Sequence, residues 1–209
     1  MKAKVFVLGF LLSSFAAWGG EGDVSVQGFY FDTGFGVGGA WTEINGNDVS
    51  KVFGSSVDEV GVEFGLKAGY GPVGNIPLYI VGELAGIGHR LYDSSNFIQF
   101  NSYLFGGGII YYPVSFLQFA ADIGFSITAN DTDIPGRMLK SKGGIAGNFS
   151  LAFDFGKNKN GFLLGLRYFY ATNTLEQTNA EQNQSGLNVF IKYAYRHKAK
   201  KAEKTEEDK

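Results

Sequence analysis

Cysteine is absent from the 209 residues, proline occurs 4 times and histidine twice. Without cysteine neither a disulfide framework nor a lipoprotein anchor can form, so stability must come from packing or from a closed hydrogen-bond network. A long apolar run is missing too. The stretch from Val5 to Leu12 in "MKAKVFVLGFLLSSFAAWGG" is shorter than the roughly 20 residues a membrane helix needs. With the basic Lys2 and Lys4 before it and small residues after it, it reads as a secretory signal peptide. Ala17 and Gly19 fit the small-residue rule at its end, so residues 1–19 are expected to be removed. Basic excess is also lacking: without Lys2 and Lys4, 16 basic residues stand against 20 acidic ones, a balance of −4. Nothing in that balance suggests a nucleic-acid partner.

What the chain has in quantity is glycine, 31 residues, beside 20 Phe and 11 Tyr. Glycine is a poor strand former and a soluble core rarely sets so much of it among aromatics. The periodicity accounts for the combination. Apolar residues recur at every second position over eight segments: Phe29 to Trp41, Glu59 to Tyr70, Leu78 to Arg90, Phe97 to Tyr112, Phe116 to Thr128, Gly144 to Phe155, Phe162 to Tyr170 and Leu187 to Tyr195. No segment reads as an amphipathic helix. The connections alternate between longer polar ones ("TEINGNDVSKVFGSSVD", "LYDSSN", "ANDTDIPGRMLKSK", "TNTLEQTNAEQNQSG") and shorter ones ("GPVGNIP", "PVS", "GKNKNG").

The two faces of each segment differ in kind. In the hairpin "GNFSLAFDFGKNKNGFLLGLRYFY", Phe149, Leu151, Phe153 and Phe155 are expected opposite Tyr168, Leu166, Leu164 and Phe162. Their other face carries Asn148, Ser150, Ala152 and Asp154 against Phe169, Arg167, Gly165 and Leu163. One face is bulky and uncharged; the other mixes small residues with isolated charges. A water-soluble barrel would place Lys, Glu and Thr where this chain has Gly and Ala. Small residues with sparse charges suit the crowded interior of a narrow barrel, so the greasy face must look outward into lipid. The fold class expected is therefore all-β: an eight-stranded antiparallel up-and-down transmembrane β-barrel, closed because an open strand edge has no water to satisfy it in a bilayer. Aromatics gather at the predicted ends as interfacial girdles, with Trp41, Phe97 and Tyr170 outside and Tyr70, Tyr111, Tyr112, Phe162 and Tyr195 on the periplasmic side.

By this alternation the inward charges are Asp32, Glu63, Lys67, Glu83, Asp122, Asp154, Arg167 and Lys192. Ions in a low-dielectric interior must be paired and hydrogen-bonded, so a network plugging the barrel is expected. Asp154 lies near the turn and Arg167 opposite Ser150, so these two should find partners on other strands.

With its alternation, its order of loops and turns, and its last strand "LNVFIKYAYRH", the chain resembles the small eight-stranded outer-membrane barrels of the OmpA and OmpX kind. The resemblance covers nearly all of residues 20–196. It implies that Leu187, Val189, Ile191, Tyr193 and Tyr195 form the terminal signal read by the barrel-assembly machinery. It also implies a bacterial outer membrane of the Gram-negative type, contact with outer-membrane lipid and lipopolysaccharide, a monomer, and both mature termini in the periplasm. Simple members of that family end at the last aromatic, whereas this chain continues with "RHKAKKAEKTEEDK"; residues 197–209 are expected to be a disordered charged periplasmic tail.

Other motifs carry less. "GFGVGG" matches a dinucleotide fingerprint at Gly34, Gly36 and Gly39, yet no helix follows and strand alternation runs through it. His89 and Arg90 end the third segment, with Asp93, Ser94 and Ser95 beyond, but no lipase motif surrounds them, and a rim residue is the better reading of His89. The sequons at Asn130, Asn148 and Asn183 are chance matches. No metal or cofactor box is evident. The expected role is non-enzymatic: a structural or surface-interaction protein, adhesion-like, displaying four loops. The alternatives are a weak small-solute channel and a lipid-modifying enzyme.

Overall fold

The computed structural model describes residues 28–53, 60–73, 76–93, 96–133, 140–157 and 159–198. The expected signal peptide and residues 199–209 of the expected tail lie outside these residues; His197 and Lys198, expected in that tail, instead pair with Phe29 and Gly28 at the end of the last strand. In chain order the strands are β1 (Gly28–Ile44), β2 (Asn47–Asp48), β3 (Val60–Gly71), β4 (Leu78–Asp93), β5 (Asn96–Val114), β6 (Leu117–Thr128), β7 (Asp131–Thr132), β8 (Ser141–Asp154), β9 (Gly161–Leu175) and β10 (Glu181–Lys198). A single turn of helix, α1 (Val49–Phe53), follows β2. Omitting the two-residue β2 and β7, eight strands form the wall. Each pairs antiparallel with the next in the order β1, β3, β4, β5, β6, β8, β9, β10. The last then returns to the first, from Gly28 opposite Lys198 to Ile44 opposite Gln182. The barrel is closed, so no edge is left to hydrogen-bond with solvent.

Exposure decides which side is which. Phe35, Ile123 and Phe155 are 66, 67 and 66 % exposed, while Asp32 and Arg167 are 1 % exposed. The opening hairpin has the expected register, with Phe149 opposite Tyr168, Leu151 opposite Leu166 and Phe153 opposite Leu164. Such a molecule is inverted relative to a soluble barrel. Its continuous apolar outer surface is stable only against hydrocarbon. The eight wall strands hold 12 to 19 residues. About 9–11 tilted residues cross a bilayer, so the surplus stands beyond it.

That surplus lies mostly at the loop end. β9 and β10 run to Leu175 and start at Glu181, longer than the hydrophobic alternation indicates. Their extra residues, such as Thr172, Thr174, Asn183 and Ser185, are polar on the outer face, which removes the apolar signal but not the ladder. β1 turns into β2 through Asn45 and Gly46, both left-handed (φ 51° and 76°), the geometry of a tight two-residue hairpin. The helix α1 was not expected. One turn is too short to show a helical period, and it is held by a local cap: the backbone and hydroxyl of Ser50 donate to Asp48 Oδ1 at 3.0 and 2.7 Å.

One girdle assignment is corrected. Tyr112 is 1 % exposed and points into the barrel, because adjacent residues Tyr111 and Tyr112 on one strand must face opposite sides.

Candidate functional site

All eight charges assigned inward by alternation are buried inside the barrel, and Arg196 joins them. They stand in two tiers. In the middle tier Lys67 binds Asp122 and lies 3.7 Å from Glu83. Arg167 donates from Nη2 to Glu83 Oε1 at 3.1 Å, and its Nε is 3.8 Å from Glu63 Oε1. Lys192 Nζ stands 3.1 Å from Asp32 Oδ1. Amides complete the shell, Asn148 donating to Glu83 Oε2 at 2.6 Å and Asn188 to Glu63 Oε2 at 3.1 Å. The partners come from seven of the eight wall strands, so the tier ties opposite sides of the barrel together.

The inner-face glycines make room for it. A Cβ at Gly65 would stand 2.8 Å from two guanidinium nitrogens of Arg167, and one at Gly36 would stand 2.8 Å from Glu63 Oε1. The glycine run of "GFGVGG" therefore answers to packing beside long charged chains.

The second tier closes the turn end. Arg196 binds Asp154 and the carbonyl oxygen of Lys159, and its Nη2 donates to Tyr112 Oη at 2.6 Å. Gln118 donates to both Tyr30 and Tyr112, at 2.9 and 2.6 Å. Tyr30 in turn donates to Asp32 at 2.7 Å and links the two tiers. Sequence reading missed Arg196 because it ended the last strand at Tyr195. One more step of the inward series Asn188, Phe190, Lys192, Ala194 reaches it. Asp154 and Arg167 do not pair with each other; each finds a partner on another strand.

At the loop end the interior is neutral. Apolar Ala40, Ala85, Ile87, Leu104, Phe169 and Ala171 pack above the charged tiers. Above them His89, expected at the rim, is buried just inside the mouth. It is stacked on Phe100 with centroids 5.4 Å apart, 3.5 Å from Thr42 Oγ1 and 3.2 Å from Gln184 Nε2. Val49 of α1, Leu91, Ile98 and Phe100 roof it. Thr42 and Gln184 thus hold the two ring nitrogens of His89, and Phe100 covers one face of the ring. Ser94 and Ser95 lie outside the described residues.

The five residues of the proposed terminal signal, Leu187, Val189, Ile191, Tyr193 and Tyr195, are all exposed on the outer face of β10.

No protein-family model matches the chain, and no curated protein sequence matches it significantly. Solved structures do. Ail, the attachment invasion locus protein of Yersinia pestis, superposes with a TM-score of 0.53 at 15 % identity, over 81 % of this chain and 99 % of that one. Ail in complex with the heparin analogue sucrose octasulfate gives 0.52 at 14 % identity, over 80 % and 99 %. Neisserial surface protein A gives 0.46 at 16 % identity, over 79 % and 96 %. At this level of identity the likeness to Ail is one of architecture. The chain has the fold of the small eight-stranded outer-membrane β-barrels.

Proposed function

We propose that this is a non-conducting, non-enzymatic outer-membrane barrel with both mature termini in the periplasm, acting through the four loops it displays in a structural or surface-interaction role. The observation that carries the reading is the filled interior. Each of the nine inward charges is at most 7 % exposed, and each acid has a cation or an amide within bonding distance. A conducting path needs water-lined side chains along its length. A ring of ion pairs joined across the axis supplies none. Insertion through the outward residues of β10, recognised by the assembly machinery, belongs to the same proposal.

The loops bear on the kind of partner. Across the sequence of the four longer connections, the eight acids Glu43, Asp48, Asp58, Asp93, Asp131, Asp133, Glu176 and Glu181 outnumber the four bases Lys51, Arg137, Lys140 and Lys142. Ail is seen with a sulfated polyanion; a surface with this balance repels one. The charge favours a neutral or cationic partner surface.

Recording from planar bilayers tests the closed interior. Purified barrel should give no steady conductance level. A reproducible open level, altered by Arg167→Met or Glu83→Gln, would contradict the reading and support a channel.

A further inference from the structure

On the outer wall one row of side chains is missing. Along β4 the outward positions 86 and 88 are both glycine, flanked by Val62 and Phe64 on β3 and by Asn101 and Tyr103 on β5. The result is an open groove of about 360 Å³. Its turn-side end is shut where the Phe64 and Tyr103 rings, 6.3 Å apart, close over Gly86. Gly88 leaves the floor bare. The groove rises from the apolar belt toward the loop end, where its chemistry changes.

At that upper end Arg90 is exposed. Its Nε and Nη2 donate to Gln99 Oε1 at 3.1 and 2.5 Å, and its Nη1 to Tyr92 Oη at 3.4 Å. The guanidinium lies 4.4 Å from the centre of the Phe97 ring. Gln99 donates onward to Asn101 Oδ1 at 2.9 Å, and Asn101 to the carbonyl oxygen of Ala129 at 3.0 Å. The side-chain carbonyls of Gln99 and Asn101 are thus spent on protein donors. Arg90 keeps N–H groups beyond those its neutral partners take, and among the described residues no carboxylate pairs with it. A trough in a lipid-facing wall, apolar along Val62 and Phe64, edged on the other side by amides that bond within the protein, and headed by a cation without an acid among the described residues, is complementary to one kind of molecule. It needs a hydrocarbon chain joined to an anion that only accepts hydrogen bonds.

We propose that the groove holds an acyl chain of a phosphorylated lipid from the leaflet on the loop side, with Arg90 on its phosphate. The chain fills the space over Gly88 between Val62 and Asn101, and the lipid becomes a fixed part of the wall. This assignment rests on the barrel lying in a bilayer. It does not rest on the interior being closed, so a conductance result leaves it untouched.

Chain-spin-labelled phosphatidic acid and chain-spin-labelled phosphatidylcholine, each in phosphatidylcholine vesicles holding the refolded barrel, supply the test. Electron paramagnetic resonance reads the motionally restricted fraction. The barrel should prefer phosphatidic acid by about fivefold, the ratio that about 1 kcal/mol per interfacial cation implies. Arg90→Gln should abolish the preference and keep the fold, since the side chain is exposed. Gly88→Val, which puts a Cβ 2.5 Å from Asn101 Oδ1 and fills the floor, should shrink the restricted fraction for both lipids. Heat-dependent gel mobility confirms that both variants are folded. Equal lipid selectivity in the parent and Arg90→Gln, or an unchanged restricted fraction in folded Gly88→Val, would overturn the proposal.

Discussion

Arg167 is the largest fully buried side chain among the described residues, and its charge is held by Glu83 and Glu63. Removing one member of a buried ionic group leaves its partners charged without compensation, which costs about 3–5 kcal/mol. Arg167→Met, similar in length and uncharged, should therefore lower unfolding free energy by about that amount in urea titrations of vesicle-embedded barrel. The double variant Arg167→Met with Glu83→Gln should recover part of the loss, because one stranded charge is gone. A loss under about 1 kcal/mol would mean the pair is screened by water and the interior is wet. Sequence shows at this scale which side a charge faces, because alternation is a local property. It does not show which acid meets which base: Lys67 and Asp122, or Arg196 and Asp154, are joined by the stagger of distant strands. Tyr112 is the converse case, placed in a girdle on its residue type when its parity already put it inside.

The elements themselves were legible where the outer face is greasy. β3 and β6 match their apolar periods within a residue or two, whereas β9 and β10 outrun theirs once Asn183, Ser185 and Thr172 replace aromatics on the outer face. Hydrogen-bonded ladders persist beyond the membrane; hydrophobic patterning does not. The element with no signature is α1, whose single turn depends on the Asp48 cap. The hydroxyl of Ser50, donating to the Asp48 carboxylate, holds its pKa below the ordinary value, with the Ser50 amide and Lys51 adding to the effect. A depressed folded-state pKa stabilises the cap fully above the unfolded value of about 3.9 and loses that contribution as pH falls through the folded one. Hydrogen exchange at the amides of Val49–Phe53 should thus quicken as pH drops below about 4, once corrected for intrinsic rates, while the wall strands stay protected. Asp48→Ala should quicken it at neutral pH, by the equivalent of about 0.5–2 kcal/mol. Unchanged protection in both experiments would show that packing of Val49 on Leu91 and Phe100 alone holds the turn.

For the whole molecule the decisive property is its inversion, with Phe, Leu, Val and Tyr outside and charges within. That was legible in the sequence because every strand repeats it, and closure follows once the outside is lipid. The functional surface is less legible. The loops have no period, the groove over Gly88 arises from three strands lying side by side, and a surface-interaction role such as the one proposed leaves no motif. The absence of cysteine makes the sidedness directly measurable, since any introduced thiol is the only one. Single cysteines placed in turn from Phe149 to Asp154 on β8 can be nitroxide-labelled in lipid vesicles and probed with oxygen, which enters hydrocarbon, and with a water-soluble nickel complex. Positions 149, 151 and 153 should show high oxygen and low nickel accessibility, and positions 150, 152 and 154 low accessibility to both. High nickel accessibility at the even positions would mean a water-filled lumen, and at the odd positions a wall that faces water; either would contradict a lipid-facing wall around a filled interior.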